Sequence, residues 1–75
     1  MQKKYLIVNT GSASKKYAFY KDDEKVYTAH FEMENNEPIV TEYFSQGKVK
    51  RNISKTEYVK AVDLILNSLV ANSII

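Results

Sequence analysis

The residues best suited to chemistry form one short polar segment near the start of the chain, at residues 9–16, with the sequence Asn-Thr-Gly-Ser-Ala-Ser-Lys-Lys. Gly11 would let the backbone approach a ligand closely, and successive turn amides can form a concavity that binds anions. Ser12 and Ser14 would add hydroxyl donors, and the two lysines would add positive charge. Together these groups suit a polyphosphate. On residue types alone, a surface hairpin turn that needs glycine and accepts serine is the simpler explanation.

Other polar groups of the chain offer weaker chemistry. His30 is the one histidine, and no serine or aspartate lies at a spacing that suggests nucleophilic catalysis, so we interpret it as a structural residue. The basic segment at residues 48–51, with Tyr43 and Phe44 close by, would suit contact with RNA. A solvated edge strand is the simpler interpretation, because lysine on an exposed edge also blocks unwanted strand pairing.

Length and composition restrict the class of protein. The 75 residues allow one domain at most, and 44% hydrophobic with 27% charged residues is typical of a folded chain. Eleven basic and nine acidic residues give a net charge of +2, which is too balanced to imply nucleic acid as a partner. The sequence has no cysteine, which excludes disulfides and thiolate metal ligands. No apolar stretch approaches the ~20 residues that cross a bilayer, so we expect a cytoplasmic protein without a membrane partner.

Apolar residues at a period of two predict an antiparallel strand meander. The alternation is clearest at residues 26–33. The residues that would share the buried face of this strand are Tyr27, Ala29, Phe31 and Met33. Further strands are predicted at residues 5–8, 16–21, 39–44 and 49–53. The continuous apolar run at residues 5–8 predicts a strand covered on both faces, the basic residues at 49–53 predict an exposed edge, and Gly47 is placed at a turn that needs positive φ.

The clearest local signal is the start of a helix. Ser54 and Glu57 match a capping box, in which each side chain accepts a hydrogen bond from the backbone of the other. One helix is predicted over residues 54–70, which is about four to five turns at ~3.6 residues per turn. Its apolar stripe consists of Tyr58, Val62, Ile65, Leu66 and Leu69, widened by Val59 and Val70. Asn72 is a suitable residue to end the helix.

These elements combine into an α+β arrangement, an antiparallel meander of four to five strands followed by one amphipathic helix on one face of the sheet. We expect residues 1–75 to form a single partial domain. The two apolar residues at the end of the sequence, Ile74 and Ile75, favour a continuation of the chain beyond them.

The segment at residues 9–17 resembles the opening motif of acetate kinases and of the related propionate and butyrate kinases, written Asn-x-Gly-Ser-Ser-Ser-x-Lys-Tyr/Phe. The residues in register with it are Asn9, Gly11, Ser12, Ser14, Lys16 and Tyr17. Ala13 replaces the middle serine of the family, and Tyr5 stands where the family usually has a smaller aliphatic residue. The meander and helix that follow are similar to the family in pattern.

This resemblance implies the actin/hexokinase/Hsp70-like (ASKHA) fold, a ribonuclease H-like ATPase domain whose first unit is three antiparallel strands and a helix. It implies phosphoryl transfer between ATP and acetate, with Mg²⁺, to give acetyl phosphate and ADP. The residues implied to bind the ATP phosphates are Asn9, Gly11, Ser12, Ser14 and Lys16, and Asn9 would also contact Mg²⁺. The family's catalytic arginine, histidine and aspartate residues lie downstream of this segment. The 75 residues are therefore expected to hold no catalytic residue and to be inactive alone.

A function of a different class stays open, that of a small stand-alone module of meander and helix that binds a protein or RNA. In either case the chain carries more apolar helix surface than one small sheet covers. We expect the isolated chain to self-associate through that helix face or through an edge of the sheet.

Overall fold

The computed structural model describes residues 3–11 and 14–75. Its strands are β1 (Lys4–Thr10), β2 (Ser14–Lys21), β3 (Glu24–Glu34), β4 (Glu37–Phe44) and β5 (Gly47–Asn52), and its helices are α1 (Lys55–Val59) and α2 (Ala61–Ala71). The five strands form one antiparallel sheet in sequence order, so each strand pairs with its neighbours along the chain. This α+β architecture confirms the predicted meander. No helix within the described residues is long and apolar enough to cross a membrane.

Short turns join the strands and set their register. Glu34 pairs with Glu37, so β3 and β4 are joined through Asn35 and Asn36, whose φ angles are 52° and 66°. Positive φ at both central residues defines a type I′ turn, which matches the twist of the strands and favours asparagine. Gly47 follows the β4–β5 turn with a φ of 147°, which confirms the positive φ predicted there.

One face of the sheet packs on the helices and forms the core. The buried apolar residues are Tyr17, Phe19, Tyr27, Ala29, Phe31, Val40, Ile53, Ala61, Leu64, Ile65 and Leu69. The predicted burial of Tyr27, Ala29 and Phe31 is confirmed. The prediction that Met33 is buried with them is wrong, because Met33 pairs with Pro38 beside the β3–β4 turn, at the rim of the core, and is 46% exposed.

The first strand, β1, lies at an edge of the sheet, which corrects the prediction that it is covered on both faces. Tyr5, Ile7 and Val8 are 40%, 48% and 52% exposed. Within the described residues β1 has one neighbouring strand, β2. The buried residues of the sheet come from β2, β3 and β4, so the helices give β1 little cover. The opposite edge is β5, whose residues are all exposed, as predicted from its basic composition.

The predicted single helix is instead two helices, α1 and α2, separated at Lys60. This residue has φ −97° and ψ 46°, outside the helical region, so α2 starts in a new rotational phase. The buried residues of α2 are Ala61, Leu64, Ile65 and Leu69. The prediction that Val62 and Leu66 belong to the buried stripe is therefore wrong, since they are 44% and 45% exposed. Asn72 ends α2 as predicted.

The capping box at the start of α1 is confirmed. Ser54 Oγ accepts a hydrogen bond from the Glu57 N–H at 3.0 Å, and Glu57 Oε1 accepts one from the Ser54 N–H at 3.0 Å. The bond from the Ser54 backbone lowers the pKa of Glu57 below its ordinary value of 4.5. When folding lowers the pKa of a carboxyl group, the group stabilises the folded state at pH values above its pKa in the unfolded chain. This contribution is lost as the pH falls through the pKa that the group has in the folded state.

Replacement of Ser54 by alanine is expected to lower the free energy of unfolding by about 1 kcal/mol, because a helix-end N–H loses its acceptor. Ser54→Asp keeps an acceptor oxygen and should retain most of the stability. Urea unfolding followed by circular dichroism measures both variants.

In the same assay Glu57→Gln, which does not ionise, should lose less stability than the natural chain on acidification below pH 4.5. Equal losses in Ser54→Asp and Ser54→Ala would contradict the capping role.

Candidate functional site

The β1–β2 hairpin brings together two of the predicted phosphate residues, Asn9 and Lys16. They are direct cross-strand partners, and Thr10 and Lys15 form the next pair. Side chains alternate between the faces of a strand, and Tyr17 is buried in the core, so Asn9 and Lys16 share the face away from the helices. We call this surface the open face. It includes Tyr5, Ile7, Asn9, Ser14, Lys16, Ala18, Tyr20, Thr28, His30, Glu32, Thr41, Tyr43, Lys48 and Lys50.

Lys15, the sequence neighbour of Lys16, lies on the helix side of the sheet. Its Nζ donates a hydrogen bond to the Tyr58 carbonyl oxygen at 3.1 Å and lies 4.5 Å from the centroid of the Tyr58 ring. The contact ties β2 to the end of α1, just before the break at Lys60. The two lysines therefore have separate functions, since Lys15 holds a helix while Lys16 leaves its charge on the open face.

A backbone hydrogen bond closes the loop between β1 and β2. The Gly11 N–H donates to the Ser14 carbonyl oxygen at 2.8 Å, so this amide is already satisfied within the hairpin. A Cβ atom at Gly11 would meet the same oxygen at 3.7 Å, an ordinary contact, so packing within the hairpin does not require glycine. Its benefit would be close approach of a ligand from the exposed side. Ser14 is half-buried at the start of β2, while Ser12 and Ala13 lie outside the described residues.

The Asn9–Lys16 pair continues as a row across the whole open face. The row consists of Asn9, Lys16, His30, Thr41 and Lys50, one residue from each strand. His30 thus lies next to Lys16, and its ring packs on Tyr43 at a centroid distance of 5.2 Å. Sequence reasoning missed His30 as a neighbour of the site. The alternation along β3 placed it on the polar face, but its position beside Lys16 follows only from the β2–β3 register.

The groups near the loop, the Asn9 amide and the Lys16 ammonium, suit Mg²⁺ only when the ion is bound together with phosphate. Within residues 3–11 and 14–75, no group of three or more His, Cys, Asp or Glu side chains is arranged to hold a metal ion. Asn9 supplies one amide oxygen beside the Lys16 ammonium group, which repels a bare divalent cation. Mg²⁺ usually keeps several waters and binds through substrate phosphates plus one or two protein oxygens. Asn9 would therefore supply one protein oxygen to Mg²⁺ only if nucleotide phosphates supplied the other ligands.

A second polar cluster lies on the helix-covered face. Glu42 is 4% exposed. Its Oε2 accepts a hydrogen bond from the Tyr27 hydroxyl at 2.6 Å, and its Oε1 lies 3.4 Å from Arg51 Nη2. Burial, together with the neighbouring Glu42 carboxylate, raises the pKa of Tyr27, so the phenol keeps its proton. We interpret this cluster as structural, because every buried side-chain nitrogen and oxygen of the described residues has a hydrogen-bond partner.

The structure also contains a cleft away from the predicted phosphate residues. Its volume is about 480 Å³, and it lies beside the β2–β3 and β4–β5 turns, at the opposite end of the sheet from Gly11. Lys21, Lys25 and Phe44 are among the residues that line it. The surface at Asn9 and Lys16 is exposed, in contrast to the enclosed pockets that bind small molecules tightly.

The open face near the loop can position a phosphate chain, with the Lys16 ammonium for charge, the Asn9 amide beside it and the Ser14 hydroxyl at the start of β2. It offers one wall of such a site.

Comparison of the chain with protein-family models, with curated proteins and with solved structures found no match.

Proposed function

We propose that this chain is the amino-terminal part of an ATP-dependent carboxylate kinase of the acetate kinase type, which transfers a phosphoryl group between ATP and acetate. The observation that carries the proposal is the cross-strand pair of Asn9 and Lys16 on the open face. The motif that resembles this family contains both residues, and the hairpin register gives them one surface. Lys15, which occupies the second unspecified position of the motif, is used instead to hold α1.

Phosphoryl transfer needs little covalent chemistry from the protein, since catalysis is mostly positioning and charge stabilisation. In the proposed complex Lys16 donates to phosphate oxygens and offsets their charge. The Asn9 amide orients the terminal phosphate or its Mg²⁺ ion, directly or through water. The backbone at Gly11 and the hydroxyls of Ser12 and Ser14 line the phosphate loop. Bound Mg²⁺ would supply charge neutralisation and alignment of the phosphate oxygens.

The rest of the proposed enzyme must supply the other walls. A first unit of the ASKHA fold has three antiparallel strands and a helix, and β1 to β3 with the helices would correspond to it. The β4–β5 hairpin then extends the sheet at the far edge from β1. The residues that bind acetate and stabilise the transition state are proposed to lie outside these 75 residues. We therefore expect no turnover by the isolated chain, and we propose that the enzyme works in the cytoplasm.

Titration of the ¹⁵N-labelled chain with Mg-ATP, and separately with Mg-pyrophosphate, tests the site. We expect millimolar affinity and shifts concentrated at Asn9, Gly11, Ser12 and Lys16. Lys16→Ala should weaken binding about fivefold, since an exposed ion pair contributes up to about 1 kcal/mol. Lys48→Ala is the matched control, because it removes the same charge from the same face at the opposite end of the sheet.

The results separate the proposal from simple attraction between charges. Equal weakening by Lys16→Ala and Lys48→Ala would indicate non-specific binding and contradict the proposed site. Unchanged shifts at Gly11 and Ser12 with saturating Mg-ATP would contradict it as well. Turnover of ATP and acetate by the purified 75 residues, detected as hydroxamate, would contradict the view that the catalytic residues lie elsewhere.

The aromatic residues of the open face favour a second candidate function, a module that binds single-stranded RNA. The Tyr5 and Tyr20 rings stack at 5.2 Å with an angle of 6° between their planes, and Tyr43 is exposed next to Lys48. Aromatic side chains interleaved with lysines suit base stacking and backbone contact. The same two lysine variants discriminate the candidates. RNA binding, followed by the anisotropy of a labelled oligouridine, should be weakened by Lys48→Ala, which leaves nucleotide binding unchanged.

A further inference from the structure

The outer edge of β1 carries unpaired backbone groups whose identity follows from two hydrogen bonds. The Asp22 N–H donates to the Lys3 carbonyl oxygen at 2.6 Å, and the Gly11 N–H donates to the Ser14 carbonyl oxygen at 2.8 Å. In an antiparallel ladder, residues that bond to the partner strand alternate with residues that point away from it. Odd-numbered residues of β1 therefore bond to β2. The outward N–H and C=O groups belong to Lys4, Leu6, Val8 and Thr10, which we call the β1 edge.

The β1 edge has few of the features that usually prevent strands from joining, since its one charged residue, Lys4, lies at its start. Its pairing with β2 has no bulge, it contains no proline, and Ile7 and Val8 are about half exposed, at 48% and 52%. The other edge of the sheet, β5, carries Lys48, Lys50 and Arg51 over six residues, and such charges discourage pairing. One edge is thus protected by charge and the other is open.

We propose that the β1 edge pairs with the β1 edge of a second copy of this chain, about a two-fold axis at Ile7, to form a continuous sheet across the dimer. In this antiparallel register Ile7 lies opposite Ile7 of the second copy, and Leu6 lies opposite Val8. The outward backbone groups of both strands are then paired along the full length of β1, and the exposed apolar side chains meet on both faces of the sheet.

Charge selects this arrangement over the alternatives. With the axis at Ile7, Lys4 lies opposite Thr10 and the preceding Lys3 lies opposite Gly11, so no two lysines face each other. Pairing of β1 with β5 of another copy would place Lys3 and Lys4 against a strand with three basic residues, and it would extend without closing. The symmetric dimer closes, and the edges that remain are the two charged β5 strands. This inference concerns the 75 residues as a folded unit and does not rest on the proposed kinase function. In the proposed enzyme, a strand from the rest of the domain could occupy the same edge in place of the second copy.

A cysteine at Ile7 tests the register directly, since the sequence contains no other cysteine. Ile7 faces its own copy in a non-hydrogen-bonded pair, for which Cα atoms lie about 4.5 Å apart, within the range that a disulfide spans. Ile7→Cys should form a disulfide-linked dimer about tenfold faster or more than a collision control, because pairing holds the thiols at millimolar effective concentration or higher. Val49→Cys is the control, since Val49 is 50% exposed on the opposite edge strand.

A proline at Val8 tests the edge itself. Proline has no N–H, and the Val8 N–H points outward, so Val8→Pro removes two hydrogen bonds of the dimer, one from each copy, while the β1–β2 bonds remain. We expect sedimentation equilibrium to show a dimer for the natural chain and a monomer for Val8→Pro with an unchanged circular dichroism spectrum. Ile7→Lys places two lysines opposite each other in the proposed dimer and should prevent pairing. Amide hydrogen exchange at Leu6 and Val8 should therefore be slow in the natural chain and fast in Ile7→Lys. The Asn9 amide bonds to β2 and should stay protected in both.

Several results would overturn the inference. They are a natural chain that stays monomeric at all concentrations, a folded Val8→Pro variant that remains dimeric, and Ile7→Cys that crosslinks no faster than Val49→Cys. A folded Val8→Pro variant that remains dimeric is the result expected if the chain dimerises through the exposed helix residues Val62 and Leu66. If Val8→Pro does not fold, the crosslinking rates decide.

Discussion

Phe31→Ala is expected to lower the free energy of unfolding by about 3–5 kcal/mol, the usual cost of removing a buried phenylalanine. Phe31 is 0% exposed in the middle of β3. Its ring meets Tyr17 edge-on at a centroid distance of 5.5 Å and Tyr58 at 6.3 Å. Truncation would therefore leave a cavity between the sheet and α1. Since small domains have total stabilities of about 5–15 kcal/mol, this loss is a large fraction of the total.

Urea unfolding followed by far-ultraviolet circular dichroism measures this loss. Met33→Ala is the matched control, because Met33 lies two residues further along β3 and is 46% exposed. It should cost less than about 1 kcal/mol, since little buried apolar area is removed. A similar loss in both variants would show that the core is not centred on Phe31.

Tyr27→Phe is expected to destabilise the fold by about 2–3 kcal/mol, because it removes a hydrogen bond to a charged group and leaves that group buried. The Tyr27 hydroxyl donates to Glu42 at 2.6 Å, whereas the contact from Arg51 is longer, at 3.4 Å. Tyr43→Phe is the control, since Tyr43 lies on the open face and is 37% exposed. It should change the stability by a few tenths of a kcal/mol, as is usual for surface substitutions.

A double-mutant cycle separates the hydrogen bond from the packing of the ring. Replacing both partners of a buried polar pair by apolar groups is often nearly neutral, so Tyr27→Phe combined with Glu42→Leu should be more stable than Tyr27→Phe alone. Strictly additive losses would contradict a direct interaction between the two side chains.

The same pair gives the fold a dependence on alkaline pH. The pKa of Tyr27 is raised above its ordinary value of 10.0 by burial and by Glu42. The folded state then keeps a proton that the unfolded state releases, so stability is full below pH 10 and falls as the pH rises above it. Tyr27→Phe should show a shallower loss of stability over that range than the natural chain.

The sheet could be predicted from the sequence because its signals are local. The alternation of Tyr27, Ala29 and Phe31 with polar residues predicts one buried face, and the basic residues of β5 predict an exposed edge. The capping box of Ser54 and Glu57 locates the start of α1. Each of these signals depends on neighbours within a few residues, and the structure confirms each of them.

The failures concern contacts between distant parts of the chain. A continuous apolar run predicts a covered strand, but whether residues 5–8 receive cover depends on where the helices pack. The break at Lys60 separates α1 from α2. Lys15 on β2 contacts α1, whereas packing against the core determines which face of α2 is buried. Periodicity counted through Lys60 therefore assigned Val62 and Leu66 to the wrong face.

The candidate site could be predicted in part. A hairpin around Gly11 is enough to bring Asn9 and Lys16 near each other, and the register makes them direct partners. The separate positions of Lys15 and Lys16 follow from strand alternation. The place of His30 beside Lys16 and the burial of Glu42 depend on the pairing of β3 with its two neighbours, which the sequence pattern does not specify to the residue.

The order of the strands has a consequence for how the chain folds. Because each strand pairs with its neighbour in sequence, the sheet can assemble through short loop closures, which cost little chain entropy and favour fast folding. The helices depend on longer-range contacts, such as the bond between Lys15 and Tyr58 across 43 residues. The sheet can thus form as a succession of hairpins, while docking of α1 and α2 buries its aromatic face and makes the transition cooperative.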